Sequence, residues 1–327
     1  MSRLLSMMCM LLVVFSLAGC ATEKPASGQP QQTLLLYSEL DGMFTEHLVR
    51  AFNKEYNNKI CLKATYELPQ SGQMPDLVLA EKRTLNGLKI DGMLKPTEFV
   101  GSERLAEKFH DQDLCWYGAF YDPTVFLVNQ QFARIVGQNN LKGWSDLESH
   151  IGTRIVMENL SDTNSTQNFL SAFADQKGET GSLNYLWNIN RFVVQYAKFP
   201  FTPIRMAAVG DADVAITRQS YVFKYLENKF PAYVVIPEEG TPVNLYGVGL
   251  FKATEQEAKA LQFMEWLLRS EEVKKIASVD NTGYLFLLSD NGDGAVPDKL
   301  WLNHNYLTAA KQDSLTDKWL QQVRFSK

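Results

Sequence analysis

The sequence has little cysteine, little histidine and no surplus of basic residues. It holds four cysteines and four histidines in 327 residues, and 32 Lys and Arg face 37 Asp and Glu, for a formal net charge of −5. So few cysteines exclude a disulfide scaffold of this length. An acidic chain without a basic lobe does not favour nucleic-acid binding. The length, by contrast, exceeds one typical hydrophobic core and predicts two lobes.

Apolar runs long enough to cross a membrane are also lacking. The longest, Leu4–Ala18, has 15 residues, whereas a spanning helix needs about 20. It follows Arg3 and ends in the letters LAGC, the pattern of a lipoprotein signal peptide in which Cys20 receives the lipid. We therefore predict a signal peptide over residues 1–20 and a flexible Pro/Gly/Ser-containing tether over residues 21–32. The protein is expected to be lipid-anchored to a bacterial membrane, on its extracytoplasmic side.

Two cysteines, Cys61 and Cys115, lie in the part of the chain expected to fold. An extracytoplasmic location permits a disulfide between them. Both also lie beside apolar residues, as buried free thiols do. The sequence leaves these two alternatives open.

Strands and helices alternate along the chain. Thr33–Tyr37, Lys59–Tyr66 and Leu77–Ala80 are predicted strands, and the first is a continuous apolar run typical of a buried parallel strand. A helical pattern around Phe44 follows the first strand, and a second helix is predicted over Leu85–Leu94. This β-α-β-α-β order predicts an α/β fold with a parallel sheet covered on both faces.

Motifs of catalysis and of metal binding are absent from the sequence. It contains no GxSxG, HExxH, GxGxxG, Walker or CxxC motif, and its four histidines are scattered among polar neighbours. We therefore predict no enzymatic activity and no cofactor. An extracytoplasmic hydrolase is the enzymatic alternative.

Polar loops follow three of the predicted strands: Ser38–Asp41, Ser161–Thr166 and Arg218–Tyr221. Ligands of open α/β sheets bind beyond the carboxyl ends of strands, and the N–H groups at a helix start attract anions. Each loop also has a structural explanation, because the first two can cap helices and the third can pack against the surface. The second loop has more hydrogen-bonding side chains than capping requires, which favours contact with a ligand.

Eight blocks of the sequence occur in an order and spacing typical of one family. They are LLLYSELDGMFTEHLVRAFNKEY, PDLVLAEKRTLNGLKIDGMLKP, WYGAFYDPTVFLVNQ, WSDL, ENLSDTNST, GDADVAI, IPEEGTPVNLYGVGLF and FMEWLLRSEEVKKIAS. Together they cover nearly all of residues 33 to about 285. In these blocks the chain resembles the extracellular solute-binding proteins of ABC importers, in particular the ferric-iron-binding and phosphonate- or organophosphate-binding branch.

The resemblance implies a type II periplasmic-binding fold, in which two α/β lobes joined by two crossing strands close on a ligand. It places the first lobe at residues 33–119 and 247–285. The second lobe is expected at residues 120–246 and 286–327. The protein is expected to be a monomer.

The resemblance also implies two sets of ligand-binding residues. Iron-binding members use a His in the first loop, a Glu after the third strand and two adjacent Tyr. Here those positions hold Asp41, Glu81 and the pair Ser220-Tyr221, so a ferric ion would be held by Asp41, Glu81 and Tyr221. An anionic organic ligand would instead use hydroxyl groups and one guanidinium. Those residues are Ser38, Ser161, Thr163, Ser165 and Arg218.

The function implied is the substrate-binding component of an ABC transporter, with a permease and its ATPase as partners. The expected ligand is a small oxyanion such as a phosphonate or phosphate ester. Two alternatives use the same closing trap. One is a ferric-iron-binding protein of this family, and the other is a subunit that presents its ligand to a sensor kinase or chemoreceptor.

Overall fold

The computed structural model describes residues 33–57, 59–69, 72–137, 141–149, 152–226, 230–277, 283–288, 299–306 and 308–326. The predicted signal peptide, the tether and Cys20 lie outside the described residues. None of the helices formed by the described residues is both long and apolar enough to cross a bilayer.

Strands and helices alternate in the described residues. The strands are β1 (Thr33–Ser38), β2 (Cys61–Thr65), β3 (Leu77–Glu81), β4 (Trp116–Asn129), β5 (Ile155–Glu158), β6 (Val193–Ala197), β7 (Val214–Arg218), β8 (Ala232–Val235), β9 (Thr241–Leu250), β10 (Leu285–Phe286) and β11 (Leu300–Trp301). The α-helices are α1 (Gly42–Glu55), α2 (Lys82–Ile90), α3 (Gln130–Val136), α4 (Trp144–Ser149), α5 (Asn164–Lys177), α6 (Glu179–Asn190), α7 (Phe201–Val209), α8 (Gln219–Leu226), α9 (Glu257–Arg269), α10 (Glu271–Ile276) and α11 (Ala309–Trp319).

The strands form a mixed sheet with the order β2-β1-β3-β9-β4-β7-β5-β6. β1 pairs in parallel with β2 and β3, and β5 pairs in parallel with β6 and β7. Between these two parallel groups, β9 and β4 run antiparallel to each other and to their outer neighbours. Every residue of β4 and β9 is buried, as expected of central strands.

The two parallel groups run toward each other along β4. β3 ends at Glu81, which pairs with Tyr246 of β9, and Tyr246 in turn pairs with Phe120 of β4. From the other side, β7 ends at Arg218, which pairs with Thr124 of β4. Positions 120 and 124 of one strand are separated by roughly 13 Å at the usual rise per residue. The carboxyl ends of both groups therefore face the same middle stretch of β4.

Buried apolar residues form one core cluster on the first parallel group and two on the second. The first cluster takes its residues from 34–121 and 243–302. The other two take theirs from 125–235 and 301–323. The exact lobe limits stay a prediction, which this separation of the cores supports.

The two cysteines in the folded part are both free. Cys115 is buried next to Trp116, and its thiol points to the carbonyl of Asp113 at 3.8 Å. Cys61 is half-buried at the start of β2. The sequence left open a disulfide or two free thiols, and in the structure Cys61 and Cys115 are free thiols.

Candidate functional site

A cavity of about 780 Å³ lies where the two groups of strand ends meet. Residues from both cores line it, so it lies between them. The lining residues are Glu39, Leu40, Asp41, Met43, Phe44, His47, Glu81, Glu158, Thr163, Asn164, Ser165, Pro200, Arg218, Ser220, Tyr221, Phe223, Tyr246 and Tyr284.

Arg218 provides the one guanidinium among the residues that line the cavity. Its Cζ lies 4.0 Å from the ring centroid of Tyr221, so the cation stacks on an aromatic face. One Nη atom donates to Ser165 Oγ at 3.3 Å, whereas the buried Nε has no hydrogen-bond partner in the described residues. Burial lowers the pKa of Arg218, whereas electrostatic interaction with Tyr246, Asp122 and Glu158 raises it. The pKa of Arg218 therefore lies above its ordinary value. The guanidinium is charged and retains donors that a ligand can use.

Ser165 joins the two halves of the site. Its hydroxyl accepts from Arg218 and donates to Glu81 Oε2 at 3.1 Å. Glu81 is 7 % exposed, and its Oε1 has no hydrogen-bond partner in the described residues. Burial, reinforced by Glu39 and opposed by Arg218, raises the pKa of Glu81 to about 7. This carboxyl group therefore changes its charge near neutral pH.

Asp122 fixes the start of α8, which directly follows Arg218. It is fully buried in β4, accepts from the Ser220 backbone N–H at 3.0 Å and from Ser220 Oγ at 2.6 Å. Burial raises the pKa of Asp122, although Arg218 opposes the shift. These two hydrogen bonds hold the start of α8 against β4, next to the cavity.

Two further carboxylates of the lining serve the protein itself. Glu39 accepts hydrogen bonds from the Tyr37 and Thr84 hydroxyls and from the Glu81 backbone N–H, which ties the end of β1 to the end of β3. Asp41 caps α1 by accepting from the N–H groups of the first turn at 3.0 and 3.4 Å. Both side chains therefore have structural partners already.

Aromatic rings form an apolar wall of the cavity. Tyr246 and Tyr284 meet edge to face at 5.6 Å, and Phe44 stacks on Tyr284 at 5.0 Å. On the other side, Phe201 packs against Tyr221 at 5.2 Å. Burial raises the pKa of both Tyr246 and Tyr284, so their hydroxyls are neutral at physiological pH. The wall offers ring faces and neutral hydroxyl groups to a ligand.

Six of the eight predicted ligand-binding residues line this cavity: Asp41, Glu81, Thr163, Ser165, Arg218 and Tyr221. The structure does not bring the other two into the lining. Ser38 is 1 % exposed, and its hydroxyl bonds with Thr45 at 2.8 Å beneath α1. Ser161 is half-buried and donates to Asp162. Both hydroxyls are used in the local structure of their loops instead.

Thr163 combines the two interpretations that the sequence left open. Its side chain accepts from the Thr166 backbone N–H, and the Thr166 hydroxyl accepts from the Thr163 N–H, which makes a capping box at the start of α5. Thr163 also lines the cavity. Capping therefore does not remove it from the site, although it occupies part of its hydrogen-bonding capacity.

Several lining residues were not predicted from the sequence. Glu158 ends β5 and could have been found by the strand-end rule that pointed to Arg218. His47 lies in α1, where the sequence favours a structural role. Tyr246 and Tyr284 come from the interior of β9 and from the segment before β10. No local sequence signal marks these two tyrosines, because only the sheet pairing brings them to the cavity.

The residues expected for ferric ion, Asp41, Glu81 and Tyr221, all line the cavity, and each also has a contact within the protein. In the described part of the chain, no group of three or more His, Cys, Asp or Glu side chains is arranged to hold a metal ion. Asp41 caps a helix, and Tyr221 presents its ring face to the Arg218 cation. A guanidinium within the lining repels a trivalent cation.

Comparison with known proteins gives a consistent assignment. The family model described as bacterial extracellular solute-binding protein matches residues 72–284. An uncharacterized protein of Haemophilus influenzae strain Rd is 23 % identical over 340 residues, which cover 95 % of each chain.

Two solved structures have the same fold. The periplasmic binding protein AfuA of Actinobacillus pleuropneumoniae, with fructose-6-phosphate bound, superposes with a TM-score of 0.66 at 18 % identity and covers 90 % of this chain and 99 % of its own. The ferric iron-binding protein A of Mannheimia haemolytica, in an open conformation, superposes with a TM-score of 0.71 at 16 % identity. The match covers 90 % of this chain and 98 % of that protein. These likenesses confirm the predicted type II periplasmic-binding α/β fold. Since the family model spans more than half of the sequence, the chain belongs to the bacterial extracellular solute-binding proteins.

Proposed function

We propose that this protein captures a small organic ligand bearing an oxyanion group, such as a phosphonate or phosphate ester, and delivers it to an ABC importer. Proteins of this family are non-enzymatic carriers that work with such importers. In the proposed arrangement the lipid on Cys20 holds the protein at the membrane near its permease. The two lobes close over the ligand and release it at the permease.

The observation that carries the oxyanion proposal is the state of Arg218. Its guanidinium lines the cavity and, among the residues that the structure describes, makes one hydrogen bond, to Ser165 Oγ. In the described residues it forms no ion pair within 4.0 Å, and its Nε lacks a partner. Arginine presents a planar fork that matches the oxygens of phosphates and phosphonates. A ligand oxyanion would occupy these open donors.

The cavity volume supports an organic ligand over a bare ion. About 780 Å³ lies within the range of pockets that hold small organic molecules. The aromatic wall formed by Tyr246 and Tyr284 suits the carbon skeleton of such a ligand. A similarly folded neighbour has a sugar phosphate bound, which agrees with this ligand class.

The test is thermal unfolding of residues 21–327, with the lipidated cysteine omitted, in the presence of phosphate, methylphosphonate, fructose 6-phosphate, phosphoethanolamine, sulfate and ferric citrate. A ligand at a hundredfold excess over its Kd adds roughly 2.7 kcal/mol to the stability, which raises the Tm by about 5 °C. We expect a phosphorylated or phosphonate compound to give this shift. We also expect Arg218→Gln to weaken its binding by at least about tenfold.

The matched control is Arg205→Gln, which removes an exposed arginine on α7 outside the lining. It should leave the shift intact. Circular dichroism checks that both variants fold. Binding of ferric citrate alone, lost in Tyr221→Phe but kept in Arg218→Gln, would overturn the oxyanion proposal in favour of iron.

A further inference from the structure

The charges around the cavity are unbalanced. Its lining contains four carboxylates, from Glu39, Asp41, Glu81 and Glu158, against the single guanidinium of Arg218. A ligand with only negative charge would neutralise the guanidinium and leave the carboxylates uncompensated. A ligand that also carries a positive charge could compensate these carboxylates.

Two of the four carboxylates, Glu81 and Glu158, lack protein partners that would compensate their negative charge. Glu81 is 7 % exposed and Glu158 is 9 % exposed. Glu81 receives the single hydroxyl of Ser165, and its Oε1 has no partner. In the part of the chain that the structure describes, Glu158 receives no hydrogen bond, and neither carboxylate has an ion pair within 4.0 Å. Buried carboxylates of this kind are costly unless a cation or a proton compensates them.

Arg218 cannot compensate these groups alone. The charge of Arg218 is already favoured electrostatically by the fully buried Asp122 and by Glu158. Three buried carboxylates, Glu81, Asp122 and Glu158, thus interact electrostatically with one guanidinium. Burial raises the pKa of Glu81, Glu158 and Asp122, so in the absence of ligand these groups bind protons more readily than they do in water. A ligand cation can take the place of these protons.

From this geometry we infer that the captured ligand is dipolar, with a nitrogen cation lying against Glu81 and Glu158 while its oxyanion meets Arg218. The inference rests on the proposed function and adds the second charged group of the ligand. Ser165 lies between the two charged regions, since its hydroxyl contacts both Glu81 and Arg218. The two ligand charges should therefore be only a few bonds apart. The ring faces of Tyr246 and Tyr284 can hold the carbon atoms between them or the edge of the cation.

The experiment uses two probe series that differ in a single group. One is the ω-aminoalkyl phosphates with two to four carbons, beginning with phosphoethanolamine. The other is the corresponding ω-hydroxyalkyl phosphates, which have the same length but no positive charge. Titration calorimetry with residues 21–327 measures both. We expect the best amine to bind at least about tenfold tighter than its hydroxyl counterpart.

Variants assign the preference to the two carboxylates. Glu158→Gln and Glu81→Gln should each reduce the amine-to-hydroxyl ratio, because they remove a negative charge and keep the size of the side chain. Arg218→Gln should weaken both series alike. The control Glu98→Gln removes an exposed carboxylate outside the lining and should change neither series.

The outcomes separate this inference from the proposed function. If the hydroxyl series binds as tightly as the amine series, the ligand is an oxyanion without a cation and the inference is wrong, whereas the proposed function holds. If the amine preference survives both glutamate variants, the assignment to Glu81 and Glu158 is wrong. If neither series binds but another phosphorylated or phosphonate compound of the thermal screen does, the inference is wrong and the proposed function holds; if no such compound binds, both are overturned.

Discussion

Ser165 shows how one small side chain connects two charged residues of opposite sign. Its hydroxyl has one hydrogen to donate and lone pairs to accept, so it can bond a carboxylate and a guanidinium at once. It donates to Glu81 at 3.1 Å and accepts from Arg218 at 3.3 Å. Glu81 and Arg218 end strands from different cores, so this hydroxyl also links the two sides of the cavity.

The buried Glu81 predicts a pH-dependent difference in stability. Its pKa is raised by burial to about 7 from 4.5, with Glu39 adding to the shift and Arg218, Ser165 and Arg83 opposing it. The folded state thus binds more protons than the unfolded state between these values, and stability falls as the pH rises through this window. Glu81→Gln, which stays neutral, should therefore be more stable than the wild type at pH 8 by roughly 1–3 kcal/mol.

The measurement is urea unfolding of the ligand-free protein at pH 5 and pH 8. The advantage of Glu81→Gln should be much smaller at pH 5, where the folded wild type is already protonated at this position. Glu98→Gln, on an exposed loop, serves as the control and should show no such increase with pH. An advantage that is equal at both pH values would contradict the assigned ionisation.

The strand-end rule located Ser165 and Arg218 from the sequence, because Ser165 opens the helix after a parallel strand and Arg218 ends another, whereas Glu81 was predicted from the family resemblance. The same strand-end rule predicted Ser38 and Ser161 as ligand-binding residues, but in the structure neither residue lines the cavity. A hydroxyl next to a helix start has backbone and side-chain partners within reach, and sequence does not tell which partner it takes. The tyrosines of the wall depend on the pairing of β9 and on the chain path before β10, which no local pattern encodes.

At the scale of elements, the segment before β10 is packed tightly against the start of α8. Gly283 has a φ of +73°, and an added Cβ would lie 2.6 Å from Ser220 Cα and 2.9 Å from the Gln219 carbonyl oxygen. The Gln219 side chain also donates to the Gly283 carbonyl at 3.2 Å. Only glycine fits here, because both the backbone angle and the space exclude a side chain. The contact fixes the neighbouring Tyr284 in the cavity wall.

We therefore expect Gly283→Ala to destabilise the protein and to weaken ligand binding. Gly152→Ala is the matched control, since Gly152 has a φ of +88° but no atom within 4 Å of an added Cβ. In both variants the positive φ strains the new alanine by roughly 1 kcal/mol. In Gly283→Ala the added Cβ also clashes with the backbone of Ser220. Urea unfolding should show a larger loss for Gly283→Ala by about 1–3 kcal/mol. Equal losses would mean that the segment moves aside freely.

The predicted elements agree with the structure where a continuous apolar run defines a strand. β1 and β3 were each predicted within one residue of their ends, because the runs TLLLY and LVLA stop at polar residues. The second helix was predicted to begin at Leu85, but α2 begins at Lys82. That prediction was wrong because the first turn, Lys82-Arg83-Thr84, is polar and gives no apolar periodicity. Its side chains instead make contacts distant in sequence.

At the scale of the whole molecule, three consecutive residues connect the first core to the second. Glu81 contacts Ser165, the Lys82 Nζ donates to the Asn303 carbonyl at 3.0 Å, and Arg83 donates to Gln167 of α5. Burial lowers the pKa of Lys82 to about 8. These contacts lie beside the cavity, and in the closed form they would hold its two sides together over a ligand.

Removal of one of these contacts should shorten the residence time of the ligand. Arg83→Ala deletes the bond to Gln167 and removes no residue that lines the cavity. A hydrogen bond to a charged group is worth about 1.5 kcal/mol, which corresponds to roughly a tenfold faster dissociation. Association should change little, because ligand reaches the open form.

Stopped-flow measurement with the ligand found in the thermal screen gives both rate constants. Arg50→Ala removes an exposed arginine on α1 and is the control. A slower association with unchanged dissociation in Arg83→Ala would contradict a closing role for this contact.

Both large cores depend on residues near the C-terminus of the chain. Leu302 belongs to the first core, and Trp301, Leu315, Trp319 and Val323 belong to the second. A polypeptide synthesised from its N-terminus cannot complete either core until residues 301–323 have emerged. Until then, apolar strands such as β3 and β4 are uncovered and prone to aggregation. Final packing of both cores is therefore expected only after the segment 301–323 has joined them.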